Sequence, residues 1–337
     1  MAIAQGTVTL ADYALMSNQP MVQAVSYSLI LYANIMQDIP MIERKSLTVN
    51  GRRFEGNLPT INWSQLNAEG VSTRGQPTAY QEQAYIIRNY IDVDKFMVED
   101  ENEIIDPREL QTQAYLKGLT YDFNWKFFAN NHVTGDINAP VGLRYRIDNG
   151  GIYGVRPENK IDALGTASDI SLANVTVAKA NSFLYFLDQL LWSVDSPDGT
   201  GVVLYMSDIT LRLFRNALRT LGTSGGLAIT QDQFSRQVET YKGAVIRDPG
   251  YKADQATRIL TTTETAAGLD GASTFTSIYA VNYGTDHLFG WQFAPPNVQD
   301  LGLIYNGAIY RTLIDWAVGL VTASTRSVAR LYDVKVA

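Results

Sequence analysis

The strongest pattern of apolar positions in the chain lies between residues 106 and 131 and has the period of an α-helix. One stripe recurs at steps of three and four residues and consists of Leu116, Leu119, Phe123 and Phe127. A second stripe follows another side of the same helix and consists of Ala114, Tyr121, Trp125 and Phe128. A helix of this length extends about 40 Å, so one compact core cannot cover both stripes. We expect part of the helix to be covered by another segment of the chain or by another subunit.

The start of this helix is encoded locally. Asp106 suits the N-cap, Pro107 suits the first helical position, and Glu109 stands where a capping-box carboxylate reaches back. An acidic cluster precedes the helix and comprises Asp92, Asp94, Glu99, Asp100, Glu101 and Glu103. It lacks the spacing and the turn glycine of a calcium loop. A solvated face that complements the helix dipole is therefore favoured, and a patch that meets a neighbour's arginines is the alternative.

Two segments before the acidic cluster have little to fold against by themselves. Residues 1–40 combine turn-forming residues with one short amphipathic helix that ends before Pro40. Residues 41–98 contain two strand-like legs joined by a long polar, glycine-rich connection. Because a two-stranded hairpin with so long a connection is marginal alone, we expect it to lie on a neighbour.

The sequence changes character after a glycine-rich boundary near residue 150. A helical apolar face spans NVTVAKANSFLYFLDQLLWSV, and GVVLYM has the continuous apolar character of a buried strand. Ser207 is placed to cap a further helix, which Gly222 is placed to end. Short strands follow, and NGAIYRTLIDWAVGLVTAST predicts either a strand pair or one long bent strand. Residues beyond 150 are therefore expected to form a compact α/β region.

Composition narrows the functional classes. The 337 residues are 46% hydrophobic and 18% charged, as in ordinary globular proteins, and the net charge of −7 provides no basic field for capturing nucleic acid. Cysteine is absent, which excludes disulfides and thiolate sites, and His132 and His287 lack metal-ligand spacing. No signal sequence or membrane-spanning apolar run is present. We expect no metal, no cofactor and no membrane partner.

Two short motifs have a catalytic or nucleic-acid interpretation. GTSGG contains Ser224 in a G-x-S-x-G pattern with His287 downstream, but a hydrolase elbow needs a preceding strand, and here a helix precedes. A serine hydrolase is therefore the weaker alternative. Arg212, Arg215 and Arg219 share one helix face, but no aromatic residues are interleaved with them. A solvated helix face is favoured over a DNA-binding stripe.

The order of these elements is an arm, a two-legged loop, an acidic lead-in to a long helix, a glycine boundary, an α/β region and long returning strands. This order resembles that of the major capsid proteins of tailed bacteriophages, which have the Hong Kong 97-type fold. VETYKGAVIRDPG, SIYAVNYGTDHLFGWQF and RTLIDWAVGLVTASTRSVARLYDV are similar to strand sequences of that family. The resemblance covers nearly the whole chain.

The resemblance implies an α+β, Hong Kong 97-like fold with the helix of residues 106–131 as the spine of its peripheral domain. The implied division is an N-terminal arm at 1–40, an extended loop at 41–98, the peripheral domain at 99–150 and 290–325, and an axial α/β domain at 151–289 and 326–337.

The resemblance also implies self-assembly rather than catalysis. Such a protein forms pentamers and hexamers that close into an icosahedral shell around the double-stranded DNA of a tailed phage. The implied partners are other copies, a portal protein, decoration proteins, DNA contacted non-specifically, and a scaffolding protein on a separate chain, because the sequence starts close to the arm. The implied location is the virion, after assembly in the host cytoplasm. An encapsulin-like shell around protein cargo is the alternative within this fold.

In that family a neighbour's extended loop crosses the spine helix, so the second stripe is expected to lie between subunits, and Arg52 and Arg53 are expected to meet a neighbour's acids. The residues expected at subunit interfaces are Arg52, Arg53, Glu55, Trp63, Arg74, Glu99, Asp100, Glu101, Glu103, Tyr121, Trp125 and Phe128. Some relatives join subunits through isopeptide bonds from a loop lysine. Here no lysine occurs between Lys45 and Lys95, and arginine is no substitute, so no covalent mesh at the loop tip is expected.

Overall fold

The computed structural model describes residues 34–53, 58–99, 106–196, 198–222, 227–231, 237–264, 274–305 and 307–336. Its helices are α1 (Asn34–Asp38), α2 (Lys95–Val98), α3 (Pro107–Ala129), α4 (Leu143–Asp148), α5 (Gly150–Tyr153), α6 (Val177–Ser193) and α7 (Asp208–Thr220). Most of the predicted arm, residues 1–33, lies outside the described residues.

The strands form one seven-stranded sheet, one five-stranded sheet and a separate hairpin. In chain order they are β1 (Met41–Glu43), β2 (Thr48–Arg53), β3 (Thr78–Gln83), β4 (Tyr85–Asp94), β5 (Lys160–Gly165), β6 (Val202–Tyr205), β7 (Leu227–Gln231), β8 (Gln237–Tyr241), β9 (Ala244–Arg247), β10 (Phe275–Asn282), β11 (Leu288–Gln292), β12 (Asn297–Ile304), β13 (Ile309–Thr322) and β14 (Val328–Lys335).

The seven-stranded sheet has the order β5-β14-β10-β6-β9-β8-β7. Every residue of its central strands β6 and β10 is buried, as the continuous apolar run of β6 predicts. Helices α6 and α7 share a hydrophobic core with one side of this sheet, and Phe183 of α6 meets Phe214 of α7 edge to face at 5.6 Å. The predicted caps are confirmed, because the Ser207 hydroxyl accepts the Thr210 N–H and Gly222 has a φ of 69°.

The five-stranded sheet is built around β13, which pairs with β4, β11 and β12. Of the two alternatives for residues 309–322, one long strand is formed. Alternate residues of β13 are buried toward α3, where Phe123 lies 6.1 Å from Trp316. The far end of α3 reaches the seven-stranded sheet, because Phe128 packs 5.2 Å from Tyr205. One continuous core thus joins α3 to both sheets.

The start of α3 confirms the predicted N-cap and first helical residue, whereas the predicted capping box and C-terminal limit differ. The Asp106 side chain accepts the Arg108 N–H at 2.8 Å, and Pro107 is the first helical residue. Glu109 accepts a bond from the Gln113 side chain at 3.1 Å instead of closing a capping box. The helix ends at Ala129, two residues before the predicted limit, and its cap residue Asn130 is extended.

The two legs of the predicted loop do not pair with each other, which corrects the sequence interpretation. The first leg, β2, pairs with residues 78–83, whereas the second leg, β4, pairs with β13 along its whole length. The physical reason is burial, since Ile87 and Ile91 of β4 pack against the core beneath α3. Strand β1 also joins the five-stranded sheet. The part of the predicted loop that is not paired with the five-stranded sheet is residues 48–83, and Val49 still packs in a buried cluster with Phe289, Trp291 and Val321 of that sheet.

Candidate subunit interface

Residues 58–77, here called the loop segment, present large apolar side chains to solvent. The exposed fractions are 74% for Leu58, 81% for Ile61, 97% for Trp63, 93% for Leu66 and 67% for Val71. Full burial of an aliphatic side chain of this size contributes about 1.5–3 kcal/mol. A cluster of this kind on one surface element is typical of a segment that another molecule covers.

An open groove lies between α3 and β4 and has a volume of about 450 Å³. Tyr115 and Asp122 of α3 line one wall and Ile86 lines the other. Gly118 also lines the groove, and a Cβ atom built there would meet nothing within 4 Å. Glycine in a helix interior costs about 1 kcal/mol relative to alanine, and no contact within the described subunit requires it. Its bare backbone leaves room for a chain that crosses the helix at this point.

Charges at one end of the groove are paired. The Lys126 ammonium lies 2.9 Å from Asp122 and 3.0 Å from Asp136. The hydrogen bond from Lys126 lowers the pKa of Asp136 below its ordinary value. These ion pairs join the segment after α3 to the helix at this end of the groove.

A second exposed apolar surface lies at the end of the five-stranded sheet. Phe96 and Met97 of α2 are 81% and 57% exposed, and Tyr305 at the end of β12 is 66% exposed. The two elements are adjacent because the Lys95 N–H donates to the Ala308 carbonyl at 3.0 Å. This end of the sheet is therefore available for contact with another molecule.

The second stripe of α3 is only partly available to a neighbour. Tyr121 and Trp125 are half-buried, and the Lys252 ammonium lies 5.1 Å above the Trp125 ring. Phe128 is 2% exposed in the subunit's own core, so its prediction as an interface residue was wrong. The reason is that the end of α3 packs on the seven-stranded sheet, which no helical period reveals. The open side of α3 lies beside this stripe, where Tyr115, Gly118 and Asp122 line the groove.

The other predicted interface residues lie in different environments. Arg52, Trp63 and Arg74 are exposed. Arg53 is half-buried, and its guanidinium donates to the Tyr153 carbonyl at 3.4 Å. Glu99 pairs with Lys95 one helical turn away at 3.5 Å. The remaining predicted residues lie outside the described part of the chain, namely Glu55, Asp100, Glu101 and Glu103.

Sequence reasoning missed the groove. Gly118 lies four residues after Ala114 and three before Tyr121, at the spacing of the second stripe, but a pattern of apolar residues does not register a glycine. A glycine in the middle of a strong helical pattern was the sequence feature that could have indicated the groove. Such a glycine either destabilises the helix without a benefit or has a packing reason, such as the close approach of another backbone. The exposure of Ile86 on β4, which is 52%, was not predicted, because alternation along a strand does not show which of its faces is covered.

In the part of the chain that the structure describes, the other candidate motifs do not form a recognisable site. Helix α7 precedes GTSGG and strand β7 follows it, which is the reverse of a nucleophile elbow; Ser224 itself lies outside the described residues. Arg212 pairs with Asp208 at 2.8 Å and Arg215 with Glu239 at 2.6 Å. Among the described residues, no three histidine or carboxylate side chains are grouped as metal ligands would be. None of the described helices is both long and apolar enough to cross a membrane.

No protein-family model and no curated protein matches the sequence. The fold does match solved structures over most of its length. The holo-SrpI encapsulin complex of Synechococcus elongatus PCC 7942 aligns with a TM-score of 0.59 and 12% identity, over 96% of this chain and 94% of that one. The capsid of a native GTA particle aligns with a TM-score of 0.56 and 11% identity, over 89% and 90%.

The capsid of cyanophage Pam1 aligns with a TM-score of 0.53 and 13% identity, over 87% of both chains. The fold of this chain, with its helices, its two sheets and the β2–β3 hairpin, thus aligns with proteins that form assembled particles. The chain has the fold that phage capsid proteins share with encapsulins.

Proposed function

We propose that the protein is the major capsid protein of a tailed phage, and that it assembles as pentamers and hexamers into an icosahedral shell around double-stranded DNA. The observation that carries the proposal is the loop segment, whose apolar side chains have no cover within the described subunit. The shared fold with phage capsid proteins supports it. Many weak contacts repeated on closed symmetry give a stable container.

The loop segment of one subunit lies along the α3–β4 groove of another in this proposal. Trp63 is the anchor, because it is the most exposed large apolar side chain of the segment and aromatic anchors dominate interface energies. Gly118 provides the clearance at the crossing point. Arg52, exposed at the end of β2, pairs at the rim with the acids near Glu99 of an adjoining subunit. Tyr121 and Trp125 contribute the exposed edge of the same face.

The proposed partners are a separate scaffolding protein, a portal protein, decoration proteins and packaged DNA contacted non-specifically. The proposed location is the virion, after assembly in the host cytoplasm. An encapsulin-like compartment is the second candidate, since the holo-SrpI encapsulin complex aligns over 96% of this chain. Purified native particles decide between them: nuclease-protected double-stranded DNA supports the phage shell, and a stoichiometric protein cargo without DNA supports the compartment.

Particle formation by the purified chain tests the shell itself. We expect light scattering and electron microscopy to show closed particles when the chain is expressed with a scaffold. Trp63→Asp should leave folded subunits that do not assemble, because an unpaired charge in a buried contact costs several kcal/mol. Ser64→Asp places the same charge on the adjacent exposed residue and should still assemble. Normal particles from Trp63→Asp would contradict the anchor.

Two substitutions at Gly118 test the groove separately. Gly118→Ala adds one carbon in open space and should stabilise the subunit by about 0.5–1 kcal/mol. Gly118→Trp should fold but fail to assemble, because its side chain occupies the groove. Equal assembly by the two variants would place the loop contact elsewhere.

A further inference from the structure

The base of the hairpin formed by β2 and β3 is fixed to the subunit by a buried arginine. Arg146 of α4 is 1% exposed, and its guanidinium bonds both oxygens of Glu82 on β3 at 2.5 and 3.1 Å. Its remaining N–H groups donate to the Val141 carbonyl, the Thr322 hydroxyl and the Leu320 carbonyl. All five donors of the guanidinium are therefore satisfied, and this fixed fork geometry allows little rotation of β3.

A second contact holds the far end of the hairpin, because Arg53 is the last residue of β2 and pairs with Thr78, the first residue of β3. The Arg53 guanidinium lies 5.3 Å from the centre of the Tyr80 ring and donates to the Tyr153 carbonyl. It fills the space above Gly154, where a Cβ atom would stand 1.9–2.0 Å from the guanidinium atoms. The φ of Gly154 is 70°, a conformation that glycine adopts without strain.

The two contacts share Tyr153, so they act as one unit. The Tyr153 ring lies 5.1 Å from the Arg146 guanidinium, while its carbonyl accepts from both Arg53 and Thr322. Thr322 is the last residue of β13, the central strand of the five-stranded sheet. The direction of the hairpin is thereby coupled to the body of the subunit.

Small rotations at this base have large effects at the loop segment. Six strand residues extend about 20 Å, so once the Arg53 contact is released, a rotation of about 10° around the Glu82 end displaces the Arg53 end and the loop segment beyond it by about 3 Å. Closely packed interfaces do not tolerate shifts of that size. In a shell, the angle between the loop and its own subunit sets where the loop meets the next copy, and hence the curvature between neighbouring subunits.

We propose that Glu82, Arg146, Arg53 and Gly154 form a clamp that fixes the direction of the hairpin and so selects the size of the shell. The part that concerns shell size rests on the proposed function. The part that concerns hairpin direction is a property of the single subunit. The two parts can therefore be measured separately.

Spin labels measure the hairpin direction in unassembled subunits. The chain contains no cysteine, so cysteines introduced at Ser64 in the loop segment and at the exposed Ala178 of α6 carry the two labels. Glu82→Gln removes the ion pair and Gly154→Ala displaces Arg53. Each should broaden the distance distribution between the labels by about 3 Å or more. Glu158→Gln, an equal change of charge on an exposed residue outside the hairpin and the loop segment, should leave it unchanged.

If folded Gly154→Ala has the same distribution of distances between the labels as wild type, the clamp is overturned. That variant decides the question if Glu82→Gln does not fold.

Particle sizes then test the second part of the proposal, the selection of shell size. Wild-type and Glu158→Gln subunits should form particles of one size, whereas the clamp variants should form several sizes. If a variant with a broadened distribution of label distances still forms particles of one size, the clamp does not select the size of the shell. If wild-type subunits form no particles while the variants broaden the distribution, the shell function fails and the clamp on the hairpin stands.

Discussion

A buried ion pair between α1 and the seven-stranded sheet allows a quantitative test of how the subunit is held together. Asp38 and Arg247 are 2% and 9% exposed. The Arg247 guanidinium bonds both oxygens of Asp38 at 3.2 Å. The Tyr205 hydroxyl donates to Asp38 at 3.1 Å and lies 2.9 Å from the Tyr283 hydroxyl. Burial raises the pKa of both tyrosines, so both hydroxyls keep their protons.

Removing either charged partner should destabilise the subunit strongly. Asp38→Asn keeps the shape but removes the charge that faces the Arg247 guanidinium, and Arg247→Met removes the charge that faces Asp38. Breaking a buried pair in this way costs about 3–5 kcal/mol. The double variant removes both charges, so its loss should be about 2–3 kcal/mol smaller than the sum of the two single losses.

Equilibrium urea unfolding of the unassembled subunit, followed by tryptophan fluorescence and by circular dichroism, measures these free energies. Arg326→Met is the control, because the Arg326–Asp195 pair is 38% and 58% exposed and exposed pairs contribute no more than about 1 kcal/mol. Two results would refute the view that this pair anchors α1. One is a single variant that loses less than about 1 kcal/mol of unfolding free energy, and the other is a double variant whose loss equals the sum of the two single losses.

The remaining predictions concern other parts of the molecule. Phe128→Ala should cost about 3–5 kcal/mol in the same urea assay and Tyr121→Ala far less, because only Phe128 is fully buried; equal losses would contradict the assignment of the two residues. The hydrogen bond from Lys126 lowers the pKa of Asp136, so the stabilising effect of Asp136 should be present at neutral pH and decrease below about pH 4. If the unfolding midpoints of wild type and Asp136→Asn differ as much at about pH 2 as at neutral pH, this expectation is excluded. Particles boiled in detergent should run as one band near 37.3 kDa, since the chain has no cysteine and the loop segment no lysine; a ladder of multiples would reveal cross-links.

Several elements were determined by the sequence alone, because the relevant interactions are local. The start of α3 follows from Asp106 and Pro107, which act on backbone groups within one turn. The start of α7 follows in the same way from Ser207. Strand β6 is apolar at every position, which suits only a strand covered on both faces. The order of these elements, together with strand sequences similar to those of phage capsid proteins, predicted the capsid-type fold through resemblance to that family.

Only the tertiary structure decided which surfaces meet. Helical and strand periods show that a face is apolar, but they do not show whether the chain itself or a neighbour covers it. Phe128 and Tyr121 belong to the same stripe, yet the seven-stranded sheet covers only the first. Glu82 and Arg146 are 64 residues apart, and their pairing exists because β3 and α4 meet beside β13. Such contacts depend on the packing of whole elements, which the local preferences of the residues do not determine.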